Sequence, residues 1–357
     1  MDKTKLSRFI IKQWEKNNLI TLLLLPFAFF YGFLQRLRRF FYGIGLFPGY
    51  RSSATVISVG NITVGGSGKT PFTIFLAKFL QENGLSVVVS HRGYKGEYEN
   101  TIKLISQNKE QKLMAKYAGD EAQVLLRNLP QTPIIIGKNR KEAVKLAEKK
   151  FKPDFIILDD SFQHLKLEHD YDFLLFKADD PLGNGAVLPA GRLREPISSL
   201  AYADFFVFNN AGELNKIPAK IAKFSKPIIY SSYKISHFIN YKFKMKVFAQ
   251  ALQNKRIFLL SAIGNPKSFE NSIKELGINF ISHFAFIDHY SFADKEELER
   301  VLAGASKQNI DYIITTEKDY VKLRNKLQDK EKFIYAKLEM TIEKQALLKN
   351  LLIREEL

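Results

Sequence analysis

The chain reads as an α/β protein of two domains preceded by an apolar helix. Three observations carry that reading. Short apolar runs alternate with helical periodicity from about residue 54 to residue 353, the pattern of strands covered by helices. A glycine-rich turn, Gly60-Asn61-Ile62-Thr63-Val64-Gly65-Gly66-Ser67-Gly68-Lys69-Thr70-Pro71, stands between the first such run and the first such helix. Residues 17–35, nineteen in all, carry no charged side chain.

That uncharged stretch has Pro26 inside it, Lys12 and Lys16 before it, and Arg36, Arg38 and Arg39 after it. Crossing a bilayer takes about twenty apolar residues, so the length is at the margin. No small-residue cleavage site follows, which argues against a removed signal peptide. Three arrangements remain: a helix lying in or re-entering a membrane surface, a full span, and a helix buried in a soluble core. The first is preferred, because the basic flanks suit anionic headgroups. Phe40, Phe41, Tyr42, Phe47 and Tyr50, mixed with Arg39 and Arg51, extend that interfacial character.

Residues 54–59 are the strand that leads into the glycine turn, and residues 72–80 continue it as a helix. Strand, glycine turn, helix is the setting of a phosphate-binding loop. The glycines let backbone N–H groups face phosphate oxygens, and the helix N-terminus adds positive potential. Lys69 is placed to reach the β- and γ-phosphates and the Thr70 hydroxyl to ligate Mg²⁺. Thr63 stands where the general pattern has glycine.

Residues 85–90 form a second strand, ending in Ser90-His91-Arg92-Gly93-Tyr94-Lys95-Gly96. Ligands of open α/β sheets sit beyond strand carboxyl ends, so Arg92 and Lys95 are candidates for phosphate binding, against a plain solvated turn. Residues 98–105 suggest a short hairpin. Gly119-Asp120-Glu121 opens a helix, where the carboxylates either cap it or act chemically. Residues 133–137 are a strand and 138–150 a basic helix with Arg140 near its start. Phe155-Ile156-Ile157-Leu158-Asp159-Asp160 is an apolar strand ending in acids, ninety residues after Lys69, and Ser161-Phe162-Gln163-His164 follows. Such an acid completes a phosphate-loop site by holding Mg²⁺ directly or through water. Residues 172–176 and 204–208 are further strands. Between them Leu188-Pro189-Ala190-Gly191-Arg192-Leu193-Arg194-Glu195-Pro196 forms a loop with two projecting arginines.

The alternation restarts near residue 227. Strands are expected over 228–235, 241–248, 256–263, 278–286, 310–315 and 332–338, and helices after Pro266, over 294–302 and over 341–353. The helix at 294 is capped by Asp294 or Ser291. The chain then divides into a membrane-associating segment, 1–50, a phosphate-loop core domain, 51–226, and a smaller α/β domain with its linker strands, 227–357.

Composition bounds the chemistry. Length 357 fits two domains, and 46% apolar residues support a sizeable core. With no cysteine, thiol catalysis, disulfides and thiolate metal sites are excluded. Lys and Arg number 54 against 37 Asp and Glu, a net charge of +17, which favours a polyanionic partner.

Taken together, the glycine turn, Arg92-Gly93-Tyr94, Gly119-Asp120-Glu121, Asp159-Asp160 with Phe162-Gln163-His164, Gly191 to Pro196, Asp288-His289, and Thr316-Glu317-Lys318-Asp319 resemble the tetraacyldisaccharide 4′-kinases of lipid A biosynthesis. Thr63 is normal for that family. His91 stands where the family often has Ser, Ser161 where it often has Gly, and Tyr290 where it often has a second His. The resemblance implies a P-loop NTPase-like α/β/α sandwich and a smaller α/β/α domain joined by a two-stranded linker. It implies ATP and Mg²⁺ as cofactors, a tetraacylated glucosamine disaccharide 1-phosphate as acceptor, lipid IVA as product, and the cytoplasmic face of the bacterial inner membrane as location, peripheral or monotopic. No nucleic-acid partner is expected.

On that resemblance, Thr63, Val64, Gly65, Gly66, Ser67, Gly68, Lys69 and Thr70 take the triphosphate, with Lys69 also catalytic. Thr70, Asp159, Asp160 and Glu121 hold the metal. Asp120 is the base for the 4′-hydroxyl, paired with His289 across a closing cleft. Arg92, Tyr94, Arg140, Gln163, His164, Arg192 and Arg194 are candidates for substrate binding, the arginines for phosphate groups. Two rival readings are a membrane-associated switch ATPase, which would carry lysine where Val64 stands, and a nucleic-acid-binding ATPase, which leaves the apolar N-terminus unexplained.

Overall fold

A computed structural model describes residues 14, 19–94, 96–105, 117–209, 217–287, 290–327, 330–343 and 345–353. Lys95, Asp288 and His289 therefore lie outside the described residues, as do Lys12 and Lys16. The chain forms two compact units: Met1–Asn108 with Asn128–Ser232 and Met340–Leu357, and Lys109–Arg127 with Tyr233–Glu339.

In the first unit, helix α1 (Leu19–Gly43) covers the uncharged stretch from Leu19 on and continues two turns beyond it, with Pro26 inside. Strand β1 (Thr55–Gly60) leads through the glycine turn into α2 (Lys69–Glu82). Then come β2 (Val87–His91), a single 3₁₀ turn at Glu97–Asn100, and β3 (Lys103–Ile105). Next in this unit come β4 (Ile134–Ile136), α4 (Arg140–Phe151), β5 (Phe155–Asp159), β6 (Tyr171–Lys177), β7 (Phe205–Asn209) and the one-turn α5 (Ala219–Ala222); helix α3 (Asp120–Asn128), which precedes β4 in the chain, belongs through Arg127 to the second unit. Strand β8 (Ile228–Asn240) follows. The strand order is β8-β7-β6-β1-β5-β2-β4-β3. Every pair is parallel except β3 with β4.

Parallel strands are covered on both faces and so read as unbroken apolar runs. Here β5 and β7 are buried at every residue. One face packs Phe162, Leu174, Phe176, Leu193 and Phe206; the other packs Val56, Val88, Ile135, Val144 and Ile156. In such a sheet all strands deliver their loops to one edge. The glycine turn, the Asp159-Asp160 corner and Arg92 thus share the carboxyl end.

In the second unit β9 (Lys246–Val247), β10 (Ile257–Ser261), α6 (Pro266–Glu275), β11 (Ser282–Ala285), α7 (Lys295–Ser306), β12 (Tyr312–Thr316), α8 (Glu317–Leu323) and β13 (Phe333–Ile342) follow in order, and α9 (Gln345–Leu352) returns to the first unit. The parallel order is β11-β10-β12-β13. Strand β13 has β8 as its other neighbour in the sheet. Asp294 caps α7 by accepting from the Glu297 N–H at 3.0 Å.

The strand expected over 241–248 shrinks to Lys246–Val247. The Asn240 side chain accepts from the N–H groups of Lys242 and Phe243 at 2.9 and 3.0 Å, which folds the chain into a turn, and Lys244 adopts φ 58°.

Asp120 was expected in the phosphate-loop domain, and the packing places it in the second unit. Lys322 lies 3.3 Å from the Asp120 carboxylate, Arg127 pairs with Glu317 at 3.3 Å, and Arg324 donates to Gln123 at 3.4 Å. The guanidinium of Arg127 also stacks on Tyr320. Residues 117–127 fill a face offered by α8 and β13, so sequence proximity to the glycine turn was misleading.

Candidate active site

The glycine turn is shaped by its neighbours. Gly68 caps α2 in the left-handed region, φ 82°, where a Cβ would be strained. Thr63 needs no such freedom: it forms an antiparallel bridge with Leu193, and the Val64 N–H donates to the Arg192 carbonyl at 2.8 Å. The missing glycine is explained by strand-like pairing with the arginine loop. That loop depends on Gly191, where a Cβ would stand 2.2 Å from the Ala186 carbonyl oxygen.

Lys69 is the first residue of α2 and is nearly buried. Its ammonium lies 3.2 Å from Asn61 Oδ1 and 3.6 Å from Asp160 Oδ1. Thr70 Oγ donates to Asp159 Oδ2 at 3.0 Å. Asp160 adopts φ 55°, which turns its carboxylate out of the strand direction and onto Arg194, 3.0 Å away. Lys69, Thr70, Asp159, Asp160 and Arg194 therefore form one continuous polar cluster.

Arg140 is buried and committed inward: it donates to Ser90 Oγ at 3.1 Å and to the Asp159 carbonyl. Burial lowers its guanidinium to about 10, with Asp159 and Asp160 opposing that fall. It ties the end of β5 to β2. Arg192 pairs with Asp180 at 3.1 Å, and Arg92 with Glu99 at 2.7 Å, its guanidinium over the exposed Tyr94 ring. Gln163 Nε2 donates to the Asn61 carbonyl at 2.9 Å, so it braces the glycine turn. Glu121 sits in the first turn of α3, in the second unit.

Several contributors were not singled out from sequence. Asn61 holds Lys69. Asn209, the last residue of β7, donates to the Ser67 carbonyl and accepts from Ser231 Oγ. His91 accepts from the Gly93 N–H at Nδ1, 2.9 Å, which places its proton on Nε2, 3.8 Å from Asp159 Oδ2. The usable signal was position: Asn61, His91 and Asn209 each end, or directly follow, a strand of the parallel sheet.

The metal that the loop pattern implies can be tested against the donors present. Among the described residues no group of three His, Cys, Asp or Glu side chains converges. Two adjacent carboxylates and one hydroxyl do. That set suits Mg²⁺, which takes one or two carboxylates, substrate phosphates and water rather than a protein cage.

Burial pushes the His164 imidazole down to about 4, helped by the nearby Arg140 and His169. Its neutral form is the folded one. Between about 6.5, the ordinary value, and about 4 the unfolded chain binds more protons than the folded chain. This contribution to stability is therefore complete above pH 6.5 and is lost as pH falls towards 4. The unfolding free energy of the wild type is expected to drop more steeply between pH 7 and 4.5 than that of His164→Asn, by up to roughly 3 kcal/mol. Urea midpoints at matched pH measure it, and parallel pH profiles would refute it.

A glycine turn running into a helix, with its lysine and threonine beside aspartates at the end of a neighbouring strand, defines a phosphate-loop protein that handles nucleoside triphosphates. The profile of the tetraacyldisaccharide-1-P 4′-kinase family matches residues 20–355. A tetraacyldisaccharide 4′-kinase of Pelobacter propionicus is 34% identical over 323 residues, covering 90% of this chain and 88% of that protein. One from Geobacter metallireducens is 36% identical over 307 residues, covering 86% and 90%. The crystal structure of LpxK from Aquifex aeolicus in complex with ATP superposes with a TM-score of 0.76 at 29% identity, covering 94% of this chain and 99% of that one. The chain belongs to the tetraacyldisaccharide 4′-kinase family and is a lipid A pathway kinase.

Proposed function

We propose that the protein transfers the γ-phosphoryl group of ATP to the 4′-hydroxyl of a tetraacylated glucosamine disaccharide 1-phosphate, giving lipid IVA, at the cytoplasmic face of a bacterial inner membrane. The observation that carries the reaction type is the cluster of Lys69, Thr70, Asp159, Asp160 and Arg194 around the glycine turn. Family membership over nearly the whole chain carries the acceptor.

In this reading residues 63–70 surround the triphosphate, and Lys69 leaves Asp160 for the β- and γ-phosphate oxygens. Thr70, Asp159 and Asp160 hold Mg²⁺, with Glu121 as a further contributor; the ion, when bound, neutralises phosphate charge. Arg194 offers a second cation at the same place, and Arg92 and Arg192 extend the positive rim with Tyr94. Gln163 and His164 contribute to substrate binding from the adjoining loop. Asp120 takes the proton of the attacking hydroxyl, with His289 orienting or sharing it. Phosphoryl transfer requires little covalent chemistry from the protein, so positioning and charge neutralisation account for most of the rate.

The membrane assignment rests on α1. Leu19, Leu23, Phe27, Phe29 and Phe30 are all well exposed, Phe29 at 74%, on a 25-residue helix. An exposed apolar surface of that kind suits a lipid phase. The switch-ATPase reading is disfavoured because Val64 occupies the position of its signature lysine.

The deciding experiment incubates the protein with ATP, Mg²⁺ and the tetraacyl disaccharide 1-phosphate and reads product mass and regiochemistry. A gain of one phosphate at the 4′ position is expected. ATP hydrolysis that proceeds equally without acceptor, with no lipid product, would overturn the proposal.

A further inference from the structure

The basic residues after the apolar stretch were expected to meet lipid headgroups, and for two of them the structure shows otherwise. Arg39 is 7% exposed and makes a two-pronged pair with Glu195, itself 1% exposed: Nε to Oε2 at 2.5 Å and Nη2 to Oε1 at 3.0 Å. Nη2 also donates to the Phe162 carbonyl at 3.1 Å, and the guanidinium lies over the rings of Phe162 and Tyr202, 4.4 and 4.8 Å from their centroids. The pattern continues at the adjacent Arg38, at Arg36 about one turn earlier and at Tyr31 about two turns earlier. Arg38 donates to the Gln163 carbonyl at 2.9 Å, Arg36 to Ser198 Oγ at 3.4 Å, and the Tyr31 hydroxyl to the Arg194 carbonyl at 3.0 Å. At Gly32 a Cβ would meet Val187 at 3.4 Å and Pro196 at 3.5 Å, so the helix backbone lies against the same loop.

Apart from the Tyr202 ring, these contacts fall on 162–163, just after Asp160, and on 187–198, which carries Arg192 and Arg194. Asp160 and Arg194 meet each other at 3.0 Å, and α1 grips the chain on both sides of that meeting. The remaining face of α1 is the exposed apolar one. We propose that α1 is a working wall of the active site, and that Arg39 is a positioning residue that clamps the loop after Asp160 to the Arg194 loop through Glu195 and the Phe162 carbonyl. A buried, two-pronged arginine pair has one geometry, unlike a lysine pair, and transmits position rather than charge alone. Seating of the apolar face and alignment of the phosphate-holding residues are then properties of one rigid helix. The proposal rests on reading Asp160 and Arg194 as site residues.

The test compares wild type, Arg39→Gln, Arg39→Lys and Tyr31→Phe in full-length protein. Arg39→Gln is expected to lower kcat by about 10–100-fold, the scale of a misplacement of about 1 Å, while ATP affinity falls by clearly less than kcat, because Arg39 bonds to the loops that brace the glycine turn and not to residues 63–70 themselves. Arg39→Lys should fall between the two. Hydrogen exchange should speed up at residues 161–164 and 191–196 and stay unchanged in β1 and β5, which a general loss of stability would not produce. Combined with Arg194→Ala, Arg39→Gln should cost less than the product of the single losses, since both act through one group. Wild-type kcat together with wild-type exchange at both loops in Arg39→Gln would overturn the proposal. Should that variant fail to bind ATP or to fold, Tyr31→Phe decides: a several-fold fall in kcat with faster exchange around Arg194 supports the clamp, and no change in either refutes it. If the wild type phosphorylates no acceptor at all, the functional reading fails, and loop exchange alone still judges the clamp.

Discussion

Lys69→Ala is expected to lower kcat for phosphoryl transfer by about 10²–10³-fold or more while the protein stays folded. The side chain is the only ammonium among the described residues found between Asn61 and Asp160 at the start of α2. Preorganised cations aimed at charge that develops in the transition state contribute the most per group, and losing one such donor costs about 3–4 kcal/mol. Its present contacts are one hydrogen bond and one partly exposed pair, worth about 0–1 kcal/mol for the pair, so the fold loses little. Steady-state kcat, thermal unfolding and nucleotide binding measured on the same preparation check it. A folded variant with wild-type kcat would remove Lys69 from the mechanism.

The second large effect concerns Asp120. A sugar hydroxyl is a weak nucleophile, and a positioned base typically contributes 10²–10⁴-fold. Asp120 lies in the first turn of α3 with the ammonium of the buried Lys322 3.3 Å away; Lys322 in turn lies 3.7 Å from Asp319. Asp319 is anchored by the Ala262 N–H at 2.9 Å and the Thr316 hydroxyl at 2.8 Å. The carboxylate proposed as base is thus fixed by a row of charges rather than left on a mobile turn. Asp120→Ala is expected to lower kcat by about 10²–10⁴-fold with ATP affinity retained. If Asp120 and His289 act as one unit, His289→Ala costs much of the same rate, and the double variant costs far less than the product. Strictly multiplicative losses would falsify the coupled unit, and unchanged kcat in folded Asp120→Ala would remove the base itself.

Much of the phosphate-loop unit was readable from residues because its signals are local. A buried parallel strand is a short apolar run whatever it pairs with, and residues 54–59 and 155–159 were both such runs. Glycine, lysine and threonine at fixed offsets describe the turn itself. The acids at 159–160 follow because a strand that ends in Asp delivers it to the carboxyl edge. Even the chemical class was therefore contained in stretches of about a dozen residues, and the order of those stretches identified the family.

What sequence could not supply was the partner of each charge. Arg39 looked like a headgroup contact because it follows an apolar helix, yet its carboxylate stands 156 residues further on, in Glu195. Asp120 sits in the chain between two strands of the phosphate-loop unit, yet packs on Lys322 of the other. Thr63 seemed a defect until Leu193 paired with it. His164 stays a neutral imidazole well below pH 6.5 only through burial near Arg140 and His169. Local sequence sets backbone preference and apolar pattern, which act over a few residues. The environment of a charge depends on which distant groups fill the space around it and exclude water, and that is settled only when the chain is folded.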